Sequence, residues 1–437
     1  MRASTAAGTE REPVNVGESL AVLRHRGFAY FLVGSIVNLL GSSMAGIALA
    51  FAVLDLTGSA SDLGIVLGAY STPMVLLLLL GGVVGDRFPR HAVLVATNAV
   101  AGLTQAFAAA LLISGHATIW NLVVLEAING AASAFSFPAM HSVMPQIVPA
   151  GQLQQANALM ALTRNVIRIA GPAIGGVVVV TVGSGWAIAV DGLSFGLAAG
   201  LFARMRLGRS DRIEASNLLH ELREGWGEFV ARSWVWVIVA AFGLLNAIQA
   251  GVLFTLGPAI ADSSIGRAAW GLVLGAEAAG AVLGTLWLIR VRLTYPLRAG
   301  MMGMFLTAPL MLVLGLSPQF VLLVALALAA GIGSEFFGIG WETSLQQHIP
   351  GDRLSRVSSY DALGSFVAIP LGLVAAGPLA NALGTRNVIV TAAIVYAALT
   401  VATLAVPSVW NLTGAHGQVA ESAPEMLDTT HETATEA

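Results

Sequence analysis

The sequence predicts an all-α membrane protein of twelve transmembrane helices in two six-helix bundles, and three observations carry that expectation. Of the 437 residues, 56% are hydrophobic and only 10% charged, whereas a water-facing domain carries roughly 25% charged residues. Twelve apolar runs follow one another, each close to the roughly 20 residues a span needs. One long hydrophilic stretch, residues 207–233, then divides them six and six.

The runs fall near 28–54, 61–84, 91–114, 118–143, 157–182 and 186–206 in the first half. Those of the second half fall near 234–261, 267–289, 299–317, 318–342, 358–382 and 387–407. The first begins near Phe28 after a polar stretch and is too long for the apolar core of a cleavable leader, so it reads as a span. Short turns at Gly183-Ser184-Gly185 and Ser317-Pro318 must separate two tight pairs. Glycine is abundant, at 49 residues, as expected where helices approach closely in lipid. Cysteine is absent, which excludes disulfides and thiolate metal sites.

All 21 basic residues are arginine, and their placement orients the chain, because cytoplasmic loops collect positive charge. With the N-terminus inside, seventeen arginines lie in cytoplasmic segments and two, Arg267 and Arg386, lie outside. Both termini are therefore expected in the cytoplasm. The predicted organisation is a cytoplasmic tail (1–25), a six-helix bundle (26–206), a cytoplasmic linker helix (207–233), a second bundle (234–408) and a disordered cytoplasmic tail (409–437). Leu218, Leu219 and Leu222 beside His220, Glu221 and Arg223 suit an amphipathic helix on the membrane surface. The last segment has five acidic residues after Trp410 and no arginine, a composition that does not bury a core.

An offset of 201 residues relates the halves. It brings Pro149 and Leu153 onto Pro350 and Leu354, Gly171 onto Gly372, and Gly176 onto Gly377. Parallel repeats of this kind place a substrate site between the halves, near the midplane.

Two motifs point to a transporter. After the second span the chain reads Gly82-Val83-Val84-Gly85-Asp86-Arg87-Phe88-Pro89-Arg90-His91. Gly82 suits close helix packing, Asp86 suits a helix N-terminus where the dipole favours a carboxylate, and Arg87 and Arg90 suit carboxylates or lipid phosphates. The fifth span holds Arg164, Arg168 and the run Gly171-Pro172-Ala173-Ile174-Gly175-Gly176, in which proline kinks the helix and the glycines admit a neighbour. The first motif resembles the loop that major facilitator transporters carry between their second and third spans, with Pro89 in place of a glycine and His91 in place of a basic residue. The second is similar to the helix motif of the family's antiporters, chiefly drug exporters, although Ile167 stands where a glycine is expected. Phe137-Pro138-Ala139, the run from Leu153 to Leu159, and Pro350 to Ser358 resemble the exporters of the enterobactin and macrolide type. The resemblance spans roughly residues 26 to 408.

Drug antiporters of the family carry an arginine in the fourth span, and here Glu126 occupies that place, ahead of Gly130 and Ala134. The charge is reversed, so a proton relay copied from that arginine does not carry over.

A charge at mid-bilayer costs at least ~2.5–3.5 kcal/mol and so faces a cavity or a partner. Glu277 and Glu335 lie deep in the eighth and tenth spans, and Arg168 lies deep in the fifth with Arg164 one turn away on the same face. Asp191, Glu342 and Asp361 are expected near span ends, as snorkelling or capping groups. Desolvation disfavours a charged carboxyl group, which allows protonation near neutral pH. Glu126, Glu277 and Glu335 are therefore the candidates for a coupling proton, and Arg164 and Arg168 for an ion pair or an anionic substrate group.

The expected activity is secondary-active export of a small amphipathic organic molecule across the bacterial plasma membrane, with alternating access and a proton gradient as the driving force. No nucleotide-binding loop of the G-x-x-x-x-G-K-[ST] type occurs, and neither cofactor nor metal is expected. The expected partners are a small-molecule substrate and membrane lipid, with no nucleic acid, for a monomeric chain. An importer of a nutrient, or an uncoupled lipid-moving or sensor protein, remains open on the same fold.

Overall fold

The computed structural model describes residues 21–149, 152–205, 226–288, 290–291 and 293–414. Among them twelve helical spans are long and apolar enough to cross a membrane, and no strand occurs. In the first half these are α1 (Arg26–Thr57), α2 (Ala60–Arg87), α3 (Arg90–Ile113), α4 (Ile119–Ile147), α5 (Leu153–Thr181) and α6 (Ser184–Phe202). In the second half they are α7 (Ser233–Ser263), α8 (Arg267–Leu288), α9 (Pro296–Leu316), α10 (Phe320–His348), α11 (Gly351–Phe366 with Ile369–Leu383) and α12 (Thr385–Leu404). Each matches an apolar run of the sequence to within a few residues at one end. Several extend further at the other, where polar residues continue the helix beyond the hydrocarbon layer. Most of the 207–233 segment and both expected tails lie outside the described residues, but 226–231 is helical. There Trp226 and Phe229 pack on Tyr360 of α11.

The halves repeat each other's packing. In the first, α2 packs on α4, α3 on α6 and α1 on α5; in the second, α8 packs on α10, α9 on α12 and α7 on α11. The 201-residue offset also joins the turns before α6 and α12, where Gly183 and Gly384 both take positive φ, at 99° and 85°. L residues with a side chain seldom reach that region, so each turn needs glycine.

Three spans of the second half are broken. In α7 the segment Ala250–Leu256 is π-helical, and the Gly257 N–H bonds Val252 five residues back. Pro258, next in line, has no N–H to continue the ordinary ladder. In α11 the break precedes Pro370, and in α9 it falls at Phe305 and Leu306. Broken spans are tolerated where neighbouring helices or a cavity satisfy the freed groups. Two α7 side chains meet that need on α11: Thr255 donates to the Leu373 carbonyl at 3.1 Å, and Asn246 to the Ser365 carbonyl at 2.9 Å.

Candidate functional site

Across the halves, α5 packs on α8 and α2 on α11. Both seams are made of small residues. A Cβ on Gly176 would lie 3.2 Å from the Ala268 Cα, and one on Gly271 would lie 2.4 Å from the Pro172 carbonyl oxygen. On the other seam, a Cβ on Gly64 would meet the Leu373 carbonyl at 2.2 Å and one on Gly377 the Ser61 Cα at 2.3 Å. Within each half the first glycine of the repeat packs on the first helix of that half: Gly171 on Ser43 of α1, and Gly372 on Ala247 of α7. Gly175 approaches Met44 of α1. Of the four residues singled out in the sequence, Pro172 and Gly176 thus meet the other half, whereas Gly171 and Gly175 pack on α1 of their own half.

Polar groups tie these seams at one end of the bundle, the end with the α1–α2, α7–α8 and α11–α12 turns. Arg267 at the start of α8 pairs with Asp55 at the end of α1, its Nη1 donating to Asp55 Oδ2 at 2.9 Å, and also holds Asp262 with Nε to Oδ1 at 2.6 Å. The guanidinium lies over Phe51, 4.9 Å from the ring centre. Asn381 donates to Ser61 Oγ at 3.0 Å. Most of the arginines lie at the opposite end. In the sequence Arg267 is one of two arginines outside the cytoplasmic segments, and no motif marks its pairing, because Asp55 is 212 residues away.

Between the halves lies a cavity of about 630 Å³, bordered by α1, α2, α5, α7, α8 and α11. Its walls are mainly apolar, including Phe51, Phe254, Trp270 and Leu274, and its charged residues are Arg168 and Glu277. Glu277 accepts from Gln249 at 3.4 Å and is within electrostatic reach of Arg168. Gln249, Leu253 and Phe254 come from the π-helical turn of α7 and the residue before it, so the break opens onto the cavity. A second cavity of about 400 Å³ lies inside the first half, and its one charged lining residue is Arg164. Ser42 and Tyr70 border both cavities.

The three proposed coupling carboxylates are not brought together. Glu277 faces the central cavity. Glu335 accepts from Thr285 at 2.8 Å, between α8 and α10. Glu126 is 5% exposed in the first half and accepts from Gln105 at 3.4 Å. Asp191, expected near a span end, is instead 1% exposed, about two turns into α6, and accepts from Ser42 and Ser194 at 3.2 and 3.3 Å. The helix starts earlier than the apolar run suggested and α1 covers that face. Asp361 lies near a span end as expected, one residue into the span Tyr360–Leu383, and is half-buried. Its helix begins ten residues earlier, at Gly351, and it accepts from the Trp341 indole at 2.8 Å and from Ser365 at 3.1 Å. Glu342 is exposed, beside Gln346. In the loop motif α2 runs through Gly82, Asp86 and Arg87, whose side chains lie outside the description, and Arg90 opens α3 half-buried.

The profile of the major facilitator family described as transmembrane secretion effector matches residues 17–413. The chain belongs to this family. The multidrug efflux pump Tap of Mycobacterium tuberculosis is 26% identical over 375 residues, covering 82% of this chain and 88% of that protein. Macrolide efflux protein A of Streptococcus pyogenes is 24% identical over 372 residues, with 81% and 89% covered. Among solved structures, a bacterial homologue of the lysosomal transporter Spinster, inward-facing and unoccupied, superposes with a TM-score of 0.65. It is 15% identical, with 87% of this chain and 97% of that one covered. The fold is that of major facilitator transporters, and with relatives and neighbours that are transporters this member is a multi-pass membrane transporter, not an enzyme.

Proposed function

We propose that this transmembrane secretion effector exports a small amphipathic organic molecule, of the drug, antibiotic or siderophore type, from the bacterial cytoplasm by proton antiport. The observation that carries the reading is a mainly apolar cavity between the two halves, which the Arg267–Asp55 pair and the glycine seams close at the Arg267 end. Positive residues collect in cytoplasmic loops, so the arginine-rich end faces the cytoplasm and both termini lie there. A cavity closed at the outer end suits loading from the cytoplasm, as export requires. The relatives named as efflux proteins support the direction. Rocking the two bundles about the α5–α8 and α2–α11 seams would open the other side.

Everted vesicles test the reading. With the vesicle lumen made acid, vesicles containing the protein should accumulate an amphipathic fluorescent drug, and an uncoupler should release it. Accumulation only with the gradient reversed would favour a nutrient importer, and accumulation indifferent to the gradient an uncoupled lipid-moving protein. Orientation has its own check in this cysteine-free chain. Single cysteines at positions Ser216 and Ser422 should resist an impermeant thiol reagent in intact cells.

Asp86, in the last turn of α2, belongs to the same reading as a gating charge, with Gly82, Arg87 and Arg90. Asp86→Asn removes only the charge, so transport should fall while insertion is preserved. Transport equal to the parent's across pH would remove this loop from the mechanism.

A further inference from the structure

The two cavities share Ser42 and Tyr70 as a common border, and α5 contributes one guanidinium to each: Arg164 to the cavity inside the first half and Arg168 to the cavity between the halves. Four residues along a helix is about 6 Å, one turn on the same face. Both arginines are exposed, and among the described residues neither makes a hydrogen bond or an ion pair within salt-bridge distance. An arginine keeps its charge and offers five donors, and at membrane depth such a group faces a cavity and a partner. Here the cavity is present and the protein supplies no bonded partner.

The anionic groups nearby do not fill that place. Asp191 and Glu126, 1% and 5% exposed, line neither cavity and are held by Ser42, Ser194 and Gln105. Glu277 does face the central cavity, but its hydrogen bond comes from Gln249 and not from Arg168. A cationic substrate would meet a bare guanidinium in each chamber. An anionic one would meet two donors forming a ladder, with apolar walls for its body: Met74, Met140 and Met144 in the first, Phe254, Trp270 and Leu274 in the second.

We infer that the two cavities form one route for an amphipathic organic acid, whose anionic group is held by Arg164 and then by Arg168. The order of the two steps rests on the export reading above; the recognition itself does not. Methionine-lined walls adapt to bodies of different shape, so charge, rather than shape, is what this route selects. Glu277 then has a defined part, since it competes with the substrate for Arg168 in the central cavity.

Equilibrium binding to the purified full chain in detergent tests this without any vesicle, so its failure is separable from failure of the export reading. The probes are dansyl-phenylalanine, its neutral amide and its cationic aminoethyl amide, followed by fluorescence anisotropy against protein-free micelles. A charge-assisted bond to arginine predicts that the acid binds about tenfold or more tighter than the amide, with the cation weakest. Arg168→Gln should remove that preference and leave amide binding within about twofold, while Arg168→Lys should keep part of it. The wild-type ratio of acid to amide needs no variant, so it stands even if a substitution harms folding. Acid binding no tighter than the amide, absence of acid binding, or equal weakening of all three probes by Arg168→Gln would overturn the inference.

Discussion

Arg267 reaches across the two halves to Asp55, donating from Nη1 to Oδ2 at 2.9 Å, and joins the first helix of one bundle to the second helix of the other. Asp262 holds the same guanidinium from behind, at 2.6 Å, so the arginine is aimed before it meets its partner. The pair lies where the halves must part if the molecule is to open on that side.

Loss of this contact should loosen closure without unfolding either bundle. Asp55 keeps about half its side-chain surface, at 49%, and exposed ion pairs contribute only about 0.2–1 kcal/mol. Arg267→Gln should therefore raise the population open at that end by about fivefold at most. A cysteine in place of Ser61, which sits in the neighbouring seam, reads this as faster labelling by an impermeant thiol reagent. An unchanged rate would mean that the glycine seams alone hold that end shut.

The seams make a prediction of a different kind. A methyl group on Gly372 would lie 1.9 Å from the Ala247 carbonyl oxygen, a backbone atom that cannot step aside, whereas Gly46 has nothing within 4 Å. Overpacking of this sort costs about 1–3 kcal/mol. Gly372→Ala should lower the unfolding temperature in detergent and Gly46→Ala should leave it within error. Equal effects would show that α7 and α11 pack less tightly than this approach requires.

The twelve spans are legible in the sequence, because hydropathy is a local signal that the bilayer itself imposes. The repeat offset likewise points to Gly171, Gly176, Gly372 and Gly377, all of which are contact points. Pairing between distant residues is not legible in this way. Asp55 and Arg267 are each unremarkable in sequence, and only the closing of the two halves makes them neighbours. Depth is also misjudged where it depends on a helix edge: the apolar run puts Asp191 near a span end, but the helix starts earlier and α1 covers the carboxylate. Of the candidates in the sequence, Glu277, Arg164 and Arg168 line cavities, whereas Glu126 and Glu335 are held in helix contacts.

That difference ranks the coupling carboxylates. Glutamine keeps size and hydrogen bonding but takes no proton, so the responsible variant should lose gradient-driven efflux and retain exchange down the substrate's own gradient. Glu277→Gln is expected to behave so, since only Glu277 of the three shares the central cavity with Arg168. Glu126→Gln and Glu335→Gln are expected to retain at least half of the parent's gradient-driven efflux. Full efflux by Glu277→Gln, or by the triple variant, would place the coupling proton elsewhere.

The central claim is that two bundles rock about their seams so that one end opens as the other closes. Paired spin labels measure this directly: one pair at Thr57 and Leu383 on the Arg267 end, another at Phe88 and Val291 on the arginine-rich end, all four exposed in the structure. Lowering the pH or adding a transported drug should lengthen the first distance and shorten the second in the same sample. Distances that stay fixed in both pairs, or that move together, would contradict the account.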